Sequence, residues 1–171
     1  MSNHTLPGFE SQIVLAPPNH HDIVLTRVLP APRALVFDAW TNPEQLPHWW
    51  GPHGFAGLRC EIDLRVGGRF RLDLCSPDGI VYPCEGTYHE VVRPERIVYS
   101  GMLDDRHPCG AGIPPHSLVT VTFAEHAPDA TRITIHARVA NTATEAIVAA
   151  GFIAGWRDAF ERLAAALTLH S

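Results

Sequence analysis

The sequence predicts an α+β fold, and three patterns indicate it. Segments in which apolar and polar residues alternate fill most of the chain between residues 57 and 139, which is typical of antiparallel strands with one face in water. A long segment near the end of the chain instead has an apolar stripe with the period of a helix. Two short helical segments follow the first strand. We therefore expect an antiparallel sheet crossed by one long amphipathic helix.

Composition narrows the classes of function. The chain has 171 residues, enough for one domain, and its formal charge of −5 argues against binding to nucleic acid. All 13 basic residues are arginine, so no lysine is present for a Schiff base or a phosphate-binding loop. We find no apolar run of about 18 residues and no secretion signal. We therefore expect a cytoplasmic protein with no membrane span.

The N-terminal part of the chain differs from the rest. Residues 1–21 are polar and rich in proline, with one apolar run at Ile13–Leu15, and we interpret them as an N-terminal tail or arm. Residues 22–171 would form the domain. An arm of this kind can cross to a second copy of the chain, so a homodimer is one expectation for the partner.

The first strand and the two short helices come next. The strand is predicted over Ile23–Leu29, and Pro32 lies where the first turn of a helix favours proline. A second helix begins at Asn42–Glu44, with a capping side chain followed by proline. Pro47 limits this second helix to about a turn and a half.

Two strands then alternate around a pair of glycines. Leu58, Cys60, Ile62, Leu64 and Val66 would form the apolar face of the first strand, and Phe70, Leu72 and Leu74 that of the second. A two-residue turn at Gly67-Gly68 would place Val66 and Arg69 on the same face. We therefore predict a three-residue loop or a bulge at the glycines.

Four more strands are predicted, over Ile80–Val91, Ile97–Leu103, Leu118–Phe123 and Arg132–Val139. The residue that matters most among them is Glu85. If the turn at residues 76–79 has an even number of residues, Glu85 lies on the same face of the sheet as Leu72 and Leu74. A bulge there places Tyr82 and Cys84 on that face instead, and both arrangements stay open. Residues 104–116 are rich in proline and glycine and would form an irregular loop.

The long C-terminal helix begins with the capping box formed by Thr142 and Glu145. Its apolar stripe consists of Phe152, Ile153, Trp156, Phe160, Leu163, Ala164 and Leu167. The charged residues Arg157, Asp158, Glu161 and Arg162 would face water.

Several short motifs follow one another along roughly residues 23–167: Ala31–Thr41, Asn42–Glu44, Trp49–Pro52, Asp63–Arg71, Pro77–Gly79, Gly86–Glu90, Pro94–Tyr99 and Gly155-Trp156. In these motifs the sequence resembles the activator of heat-shock-protein-90 ATPase homologue-like family of the START-like, SRPBCC superfamily. The resemblance implies a helix-grip (START/Bet v 1-like) fold, in which a curved antiparallel sheet of six to seven strands wraps round the C-terminal helix. Pro47 and the loop 104–116 depart from the family pattern.

The resemblance also implies an apolar cavity between sheet and helix that holds a small, mainly apolar ligand such as a lipid or polyketide. Adjacent residues on a short helix cannot both point into one core, so one of Trp49 and Trp50 should line a rim or cavity. Tyrosine hydroxyls would orient the ligand. The predicted ligand-binding residues are Trp49, Trp50, Phe55, Phe70, Leu72, Tyr82, Tyr88, Tyr99, Phe152 and Trp156.

Catalysis and metal binding have little support in the sequence. The spacing of His107, Cys109 and His116 matches no usual zinc motif, so we expect no metal, no cofactor and no catalytic residue. One alternative is a cyclase- or hydrolase-like enzyme with Glu85 or His48 as base. A second alternative, suggested by the family name, is a chaperone ATPase regulator.

Overall fold

The computed structural model describes residues 10–16, 20–101, 118–140 and 145–169. Within these residues the chain forms eight strands, two helices and one 3₁₀ turn at Leu46–His48. The helices are α1 (Arg33–Thr41) and α2 (Glu145–Leu169). The strands are β1 (Glu10–Ala16), β2 (His20–Leu29), β3 (Ala56–Ile62), β4 (Arg69–Cys75), β5 (Val81–Val92), β6 (Arg96–Gly101), β7 (Leu118–Ala127) and β8 (Ala130–Ala140).

All strands belong to one antiparallel sheet, in the order β1-β2-β8-β7-β6-β5-β4-β3. Strands β2 to β8 are seven in number, and with α2 they confirm the predicted α+β helix-grip fold. Strand β1 adds an eighth, because the segment around Ile13 pairs with β2 over its whole length. The division of the chain at residue 22 stays a prediction.

The connection between β3 and β4 keeps the apolar faces together, as predicted, but with a longer loop. Ile62 lies opposite Phe70, and the Asp63 N–H donates to the Arg69 carbonyl oxygen at 2.9 Å. The loop between Asp63 and Arg69 therefore has five residues instead of three. Val66 lies in this loop and is 67% exposed, so its predicted place on the apolar face is wrong.

Leu58 is a second error in the predicted apolar face of β3. A register shift between Gly57 and Arg59 takes Leu58 out of the alternation, and its side chain is 61% exposed.

The second predicted helix is only the 3₁₀ turn. Pro47 lies inside it and removes a backbone donor, which prevents a longer helix. The turn packs on β3 at Gly57, where a Cβ atom would lie 2.5 Å from the Pro47 Cβ. Glycine at residue 57 therefore allows the close contact that brings Trp49 and Trp50 to the core.

Helix α2 covers the inner face of the sheet. Its residues Trp156, Ala159, Phe160, Leu163 and Leu167 are buried in one core with Ile133 and Ile135 of β8 and with Val121 and Phe123 of β7. The predicted capping residue Thr142 lies outside the described residues, as do the predicted strand end at 102–103 and the predicted loop 104–116. None of the helices in the described ranges is long and apolar enough to span a membrane.

Candidate functional site

Four tryptophans meet where α1, the 3₁₀ turn and α2 come together. Trp40 and Trp156 stack with their ring planes 7° apart and their centroids 5.3 Å apart. The Trp50 ring meets the Trp156 ring edge-on at 5.0 Å, and the Trp49 ring lies 5.6 Å from that of Trp50. All four side chains are buried.

Trp49 and Trp50 therefore both point into one core, which corrects the expectation that adjacent tryptophans must separate. Trp49 caps the end of the 3₁₀ turn with a φ of −130°, so the pair does not share a regular helix. The two indole N–H groups nevertheless differ. The Trp49 indole N–H donates to the Ala39 carbonyl at 2.9 Å, whereas the buried Trp50 Nε1 has no hydrogen-bond partner in the described part of the chain.

Arg162 fixes the backbone that carries this pair. Its Nη1 donates to the carbonyl oxygens of Trp50, Gly51 and Pro52 at 3.1 Å each, and its Nη2 donates to that of His48 at 3.2 Å. Burial lowers the pKa of Arg162, and the charge of Asp158 opposes that shift. The helical periodicity of the sequence predicted that Arg162 faces water, and this prediction is wrong. Arg162 instead ties α2 to the chain after the 3₁₀ turn, and we call this contact the Arg162 clamp.

Beside the tryptophans lies a small interior cavity. It offers about 10 Å³ to the centre of a water-sized sphere, which is room for roughly one water molecule. Its lining contains four of the predicted ligand-binding residues and two that were not predicted: Trp50, Phe70, Tyr88 and Tyr99, with Trp40 and Leu46.

The position of Phe70 in this cavity depends on Gly86, which has no side chain. Phe70 on β4 pairs with Gly86 on β5, where a Cβ atom would lie 2.4 Å from the Phe70 ring. The ring can therefore lie across β5, with its centroid 5.1 Å from that of Tyr88 and 5.3 Å from that of Tyr99.

The two tyrosines are paired across β5 and β6 and are both buried. Burial raises the pKa of Tyr88 and of Tyr99 far above the ordinary value, and for Tyr99 the neighbouring Tyr88 and Cys84 raise it further. Both hydroxyls therefore stay protonated at neutral pH and keep an O–H donor.

The other predicted ligand-binding residues lie elsewhere. Leu72 belongs to the close-packed core at 1% exposure. Phe55 and Tyr82 are half-buried, and neither belongs to the described cavity lining. Their ring centroids lie 6.3 Å apart. Phe152 is part of α2, and its side chain lies outside the described residues.

Glu85 points away from the cavity. Leu72 pairs with Cys84 and Leu74 with Tyr82, so the five-residue connection after Cys75 puts Glu85 on the outer face. There the Glu85 carboxylate accepts a hydrogen bond from Arg71 at 3.0 Å, and its side chain is 36% exposed. The carboxylate on which the enzymatic alternative depends is therefore an outer-face ion-pair partner.

His107, Cys109 and His116, whose spacing matches no usual zinc motif, lie outside the described residues. Another trio that could ligate a metal does occur: His53, Asp158 and Glu161 hold their ligand atoms within 4.8 Å of one another. The His53 Nε2 lies 2.8 Å from Glu161, and its backbone N–H donates to Asp158 at 3.2 Å. Arg162 acts on Asp158 and Arg27 acts on Glu161, and these positive charges oppose the binding of a cation.

His48, the other candidate base, lies in a surface groove. The groove has a volume of about 380 Å³ and runs between α1, the 3₁₀ turn and the end of α2. Asp38, Glu44, His48 and the side of Trp49 line it, together with Leu35, Ala39, Gln45, Ala166 and Leu167. It is larger than the interior cavity, and its described lining includes Trp49 but not Trp50.

One polar residue of the interior was not predicted. Arg27 on β2 is only 7% exposed, in line with the buried Leu25 and Leu29 on the inner face of the sheet. The sequence alone could have predicted this burial, because Arg27 lies two residues from Leu25 and from Leu29 and so shares their face of the strand. A solvated arginine would be expected on the opposite face.

Comparison with known proteins identifies the fold family. The family model described as activator of Hsp90 ATPase homolog 1-like protein matches residues 30–168, which include the tryptophan pair, the cavity and the Arg162 clamp. The chain belongs to this family. None of the curated proteins matches it in sequence.

Solved structures of bacterial proteins show the same fold. A Nitrosomonas europaea protein is 27% identical with a TM-score of 0.73, and the match covers 87% of this chain and 95% of that one. A Chromobacterium violaceum protein is 28% identical with a TM-score of 0.63, covering 84% and 94%. A Rhodobacter sphaeroides protein, at 20% identity and a TM-score of 0.75, covers 95% and 100% and shares the fold.

Proposed function

We propose that this member of the family binds a small, mainly apolar molecule between the sheet and α2, without catalysing a reaction. The observation that carries the proposal is the aromatic cavity beside Trp50, where a buried indole N–H lacks a partner among the described residues. A buried donor without a partner costs stability, about 1–3 kcal/mol, and a ligand oxygen that accepts from it would remove that cost.

The character of the lining indicates the chemistry of the ligand. Trp40, Leu46, Trp50 and Phe70 offer apolar surface, and Tyr88 and Tyr99 add hydroxyl donors that stay protonated. Apolar pockets with a few placed polar groups are typical of small-molecule sites. The ligand would be an apolar body with one or two acceptor oxygens.

The cavity must enlarge to hold such a molecule. With room for about one water molecule, it accepts a ligand only when the surrounding rings move apart. Burying about 200 Å² of apolar ligand surface contributes roughly 5 kcal/mol, against which the cost of moving the rings and of losing ligand motion is set. We therefore expect modest affinity and a measurable change in tryptophan fluorescence.

The placement of Glu85 favours binding over catalysis. An acid–base enzyme needs a titratable group at the cavity, and Glu85 is held on the outer face by Arg71.

We also propose a cytoplasmic location for the protein, because the cysteines Cys60 and Cys75 are free thiols, as is usual in a reducing compartment.

The first test is native mass spectrometry of freshly purified protein, followed by denaturing extraction. A co-purifying small apolar molecule supports the proposal and defines its chemical class. The second test is a titration with the neutral dye N-phenyl-1-naphthylamine. We expect saturable binding with one dye per chain, and a protein that neither retains a molecule nor binds the dye would contradict the proposal.

A matched pair of variants locates the site. Trp50→Phe removes the N–H without a partner and should weaken binding of an acceptor-bearing ligand several-fold. Trp49→Phe removes an N–H already bonded to Ala39, so the folded fraction of that variant should bind as the wild type does.

A further inference from the structure

The buried arginine of β2 lies in an apolar environment. Arg27 alternates with Leu25 and Leu29, which are both fully buried, so its side chain enters the space between the sheet and α2. Its register partner on β8 is Ile133, also fully buried. The guanidinium keeps its charge in folded proteins, so a positive charge is present inside the domain.

This guanidinium is incompletely bonded. Neither Nε nor Nη1 of Arg27 has a hydrogen-bond partner in ranges 10–16, 20–101, 118–140 and 145–169. Buried charges in proteins are normally paired and hydrogen-bonded, because leaving water is costly for an ion. Even the half-buried Arg162 of the same molecule is bonded in this way, since four carbonyl oxygens accept from it.

The acidic group that acts on Arg27 is engaged elsewhere. Glu161 of α2 influences Arg27 electrostatically, but its Oε2 atom lies 2.8 Å from His53. No ion pair within the described segments joins Arg27 to a carboxylate at 4.0 Å or less. Arg27 is thus a buried cation whose Nε and Nη1 donors are not bonded to any anion in the described part of the chain.

Arg27 is not among the described residues that line the cavity beside Trp50, so a ligand must extend from that cavity along the inner face of the sheet to reach it. We propose that Arg27 binds the carboxylate of such a ligand, so that the protein takes apolar carboxylic acids in preference to neutral apolar molecules. This inference rests on the proposed function and adds the charge of the ligand to it. The planar guanidinium matches the geometry of a carboxylate, which strengthens each hydrogen bond. A singly charged carboxylate fits better than a phosphate monoester, because one arginine next to Glu161 cannot neutralise about two negative charges.

The test compares acids with their methyl esters. Straight-chain carboxylic acids of six to fourteen carbons and the matching methyl esters compete with N-phenyl-1-naphthylamine for the wild-type protein at pH 7.5. Each pair has the same chain and differs mainly in charge. At the chain length that binds best, we expect the acid to compete at least about tenfold more tightly than the ester.

Variants assign the preference to Arg27. In Arg27→Met the acid should fall to the affinity of the ester while the ester is unchanged, and Arg27→Lys should retain only part of the preference. Arg69→Met is the matched control, because Arg69 is an exposed strand arginine and its loss should leave both affinities unaltered. Dye binding by the variants shows that they are folded.

The outcomes separate this inference from the proposed function. Esters that compete as well as acids, or an acid preference that persists in Arg27→Met, would overturn the role of Arg27 and leave the binding proposal intact. Failure of the dye, the acids and the esters to bind the wild-type protein would overturn both.

Discussion

Two regions of the molecule differ in whether their side-chain donors are bonded within the fold. In the Arg162 clamp, the guanidinium donates to four carbonyl oxygens, and the nearby Trp49 indole donates to Ala39. The second region, which we call the ligand region, comprises two donor side chains on separate elements: the buried Nε and Nη1 of Arg27 on β2 and the Nε1 of Trp50 beside the cavity have no partner in the described structure.

This difference distinguishes donors that stabilise the fold from donors that can bind a ligand. A donor bonded within its own chain stabilises the fold and has little left to offer a ligand. A buried donor without a partner weakens the folded state, and such a group is expected where another molecule completes the bonding. The two regions thus make opposite predictions for similar substitutions, and unfolding experiments can measure the difference.

The largest effect is expected in the clamp. Arg162→Met removes all four hydrogen bonds and should lower the free energy of unfolding by roughly 2–4 kcal/mol. Urea denaturation followed by far-UV circular dichroism measures it. A loss below about 0.5 kcal/mol would mean that the clamp is not what holds the His48–Pro52 backbone.

The tryptophan pair gives the next largest difference. Trp49→Phe leaves the Ala39 carbonyl without its donor and should cost about 2–3 kcal/mol. Trp50→Phe loses similar ring volume but also removes a donor without a partner, so its cost should stay within about 1 kcal/mol. Equal costs in urea denaturation would remove the distinction between the two regions.

Arg27→Met should change stability in the opposite direction from Arg162→Met. It replaces a buried, incompletely bonded charge by an apolar side chain of similar length, and we expect a gain of about 1 kcal/mol in the ligand-free protein. The midpoint of urea denaturation should rise with an unchanged slope. A loss of more than 1 kcal/mol would show that Arg27 is bonded within the fold after all.

The smallest expected effect is a loss of stability at alkaline pH that comes from the two tyrosines of the cavity. The pKa values of Tyr88 and Tyr99 are raised in the folded state, so their contribution to stability is complete well below pH 10, begins to fall as the pH approaches 10 and is lost at higher pH. At pH 10 the loss should be about 0.4 kcal/mol for each tyrosine. Tyr88→Phe and Tyr99→Phe should each remove its share of this pH dependence between pH 8 and 10.

Sequence patterns predicted most of the fold, because strand alternation and helical periodicity are local properties. The parity argument for the β3–β4 connection was correct, although it could not give the loop length, which depends on the Asp63 and Arg69 backbone pairing. Leu58 was misplaced because a register shift leaves no mark on alternation. The segment around Ile13 was interpreted as an arm because its apolar run is short and lies in polar, proline-rich sequence, although it pairs with the adjacent strand β2.

The site was less accessible to sequence reasoning. Phe70, Tyr88 and Tyr99 were predicted for a cavity on their strands, and the structure brings them together there with Trp50. Which of two adjacent tryptophans keeps a free N–H depends on the distant Ala39 carbonyl, which no sequence pattern reveals. Arg162 was placed in water because its carbonyl partners lie more than 100 residues away.

The most direct test of ligand binding beside Trp50 uses the indole N–H signals of the four tryptophans. In ¹⁵N–¹H correlation spectra, Trp→Phe variants assign each signal, and the wild-type protein is then titrated with the best-binding carboxylic acid. We expect the Trp50 signal to shift most and the Trp49 signal to shift least. A largest shift at Trp49 would place the ligand in the surface groove instead, and no shift at a saturating concentration would contradict binding altogether.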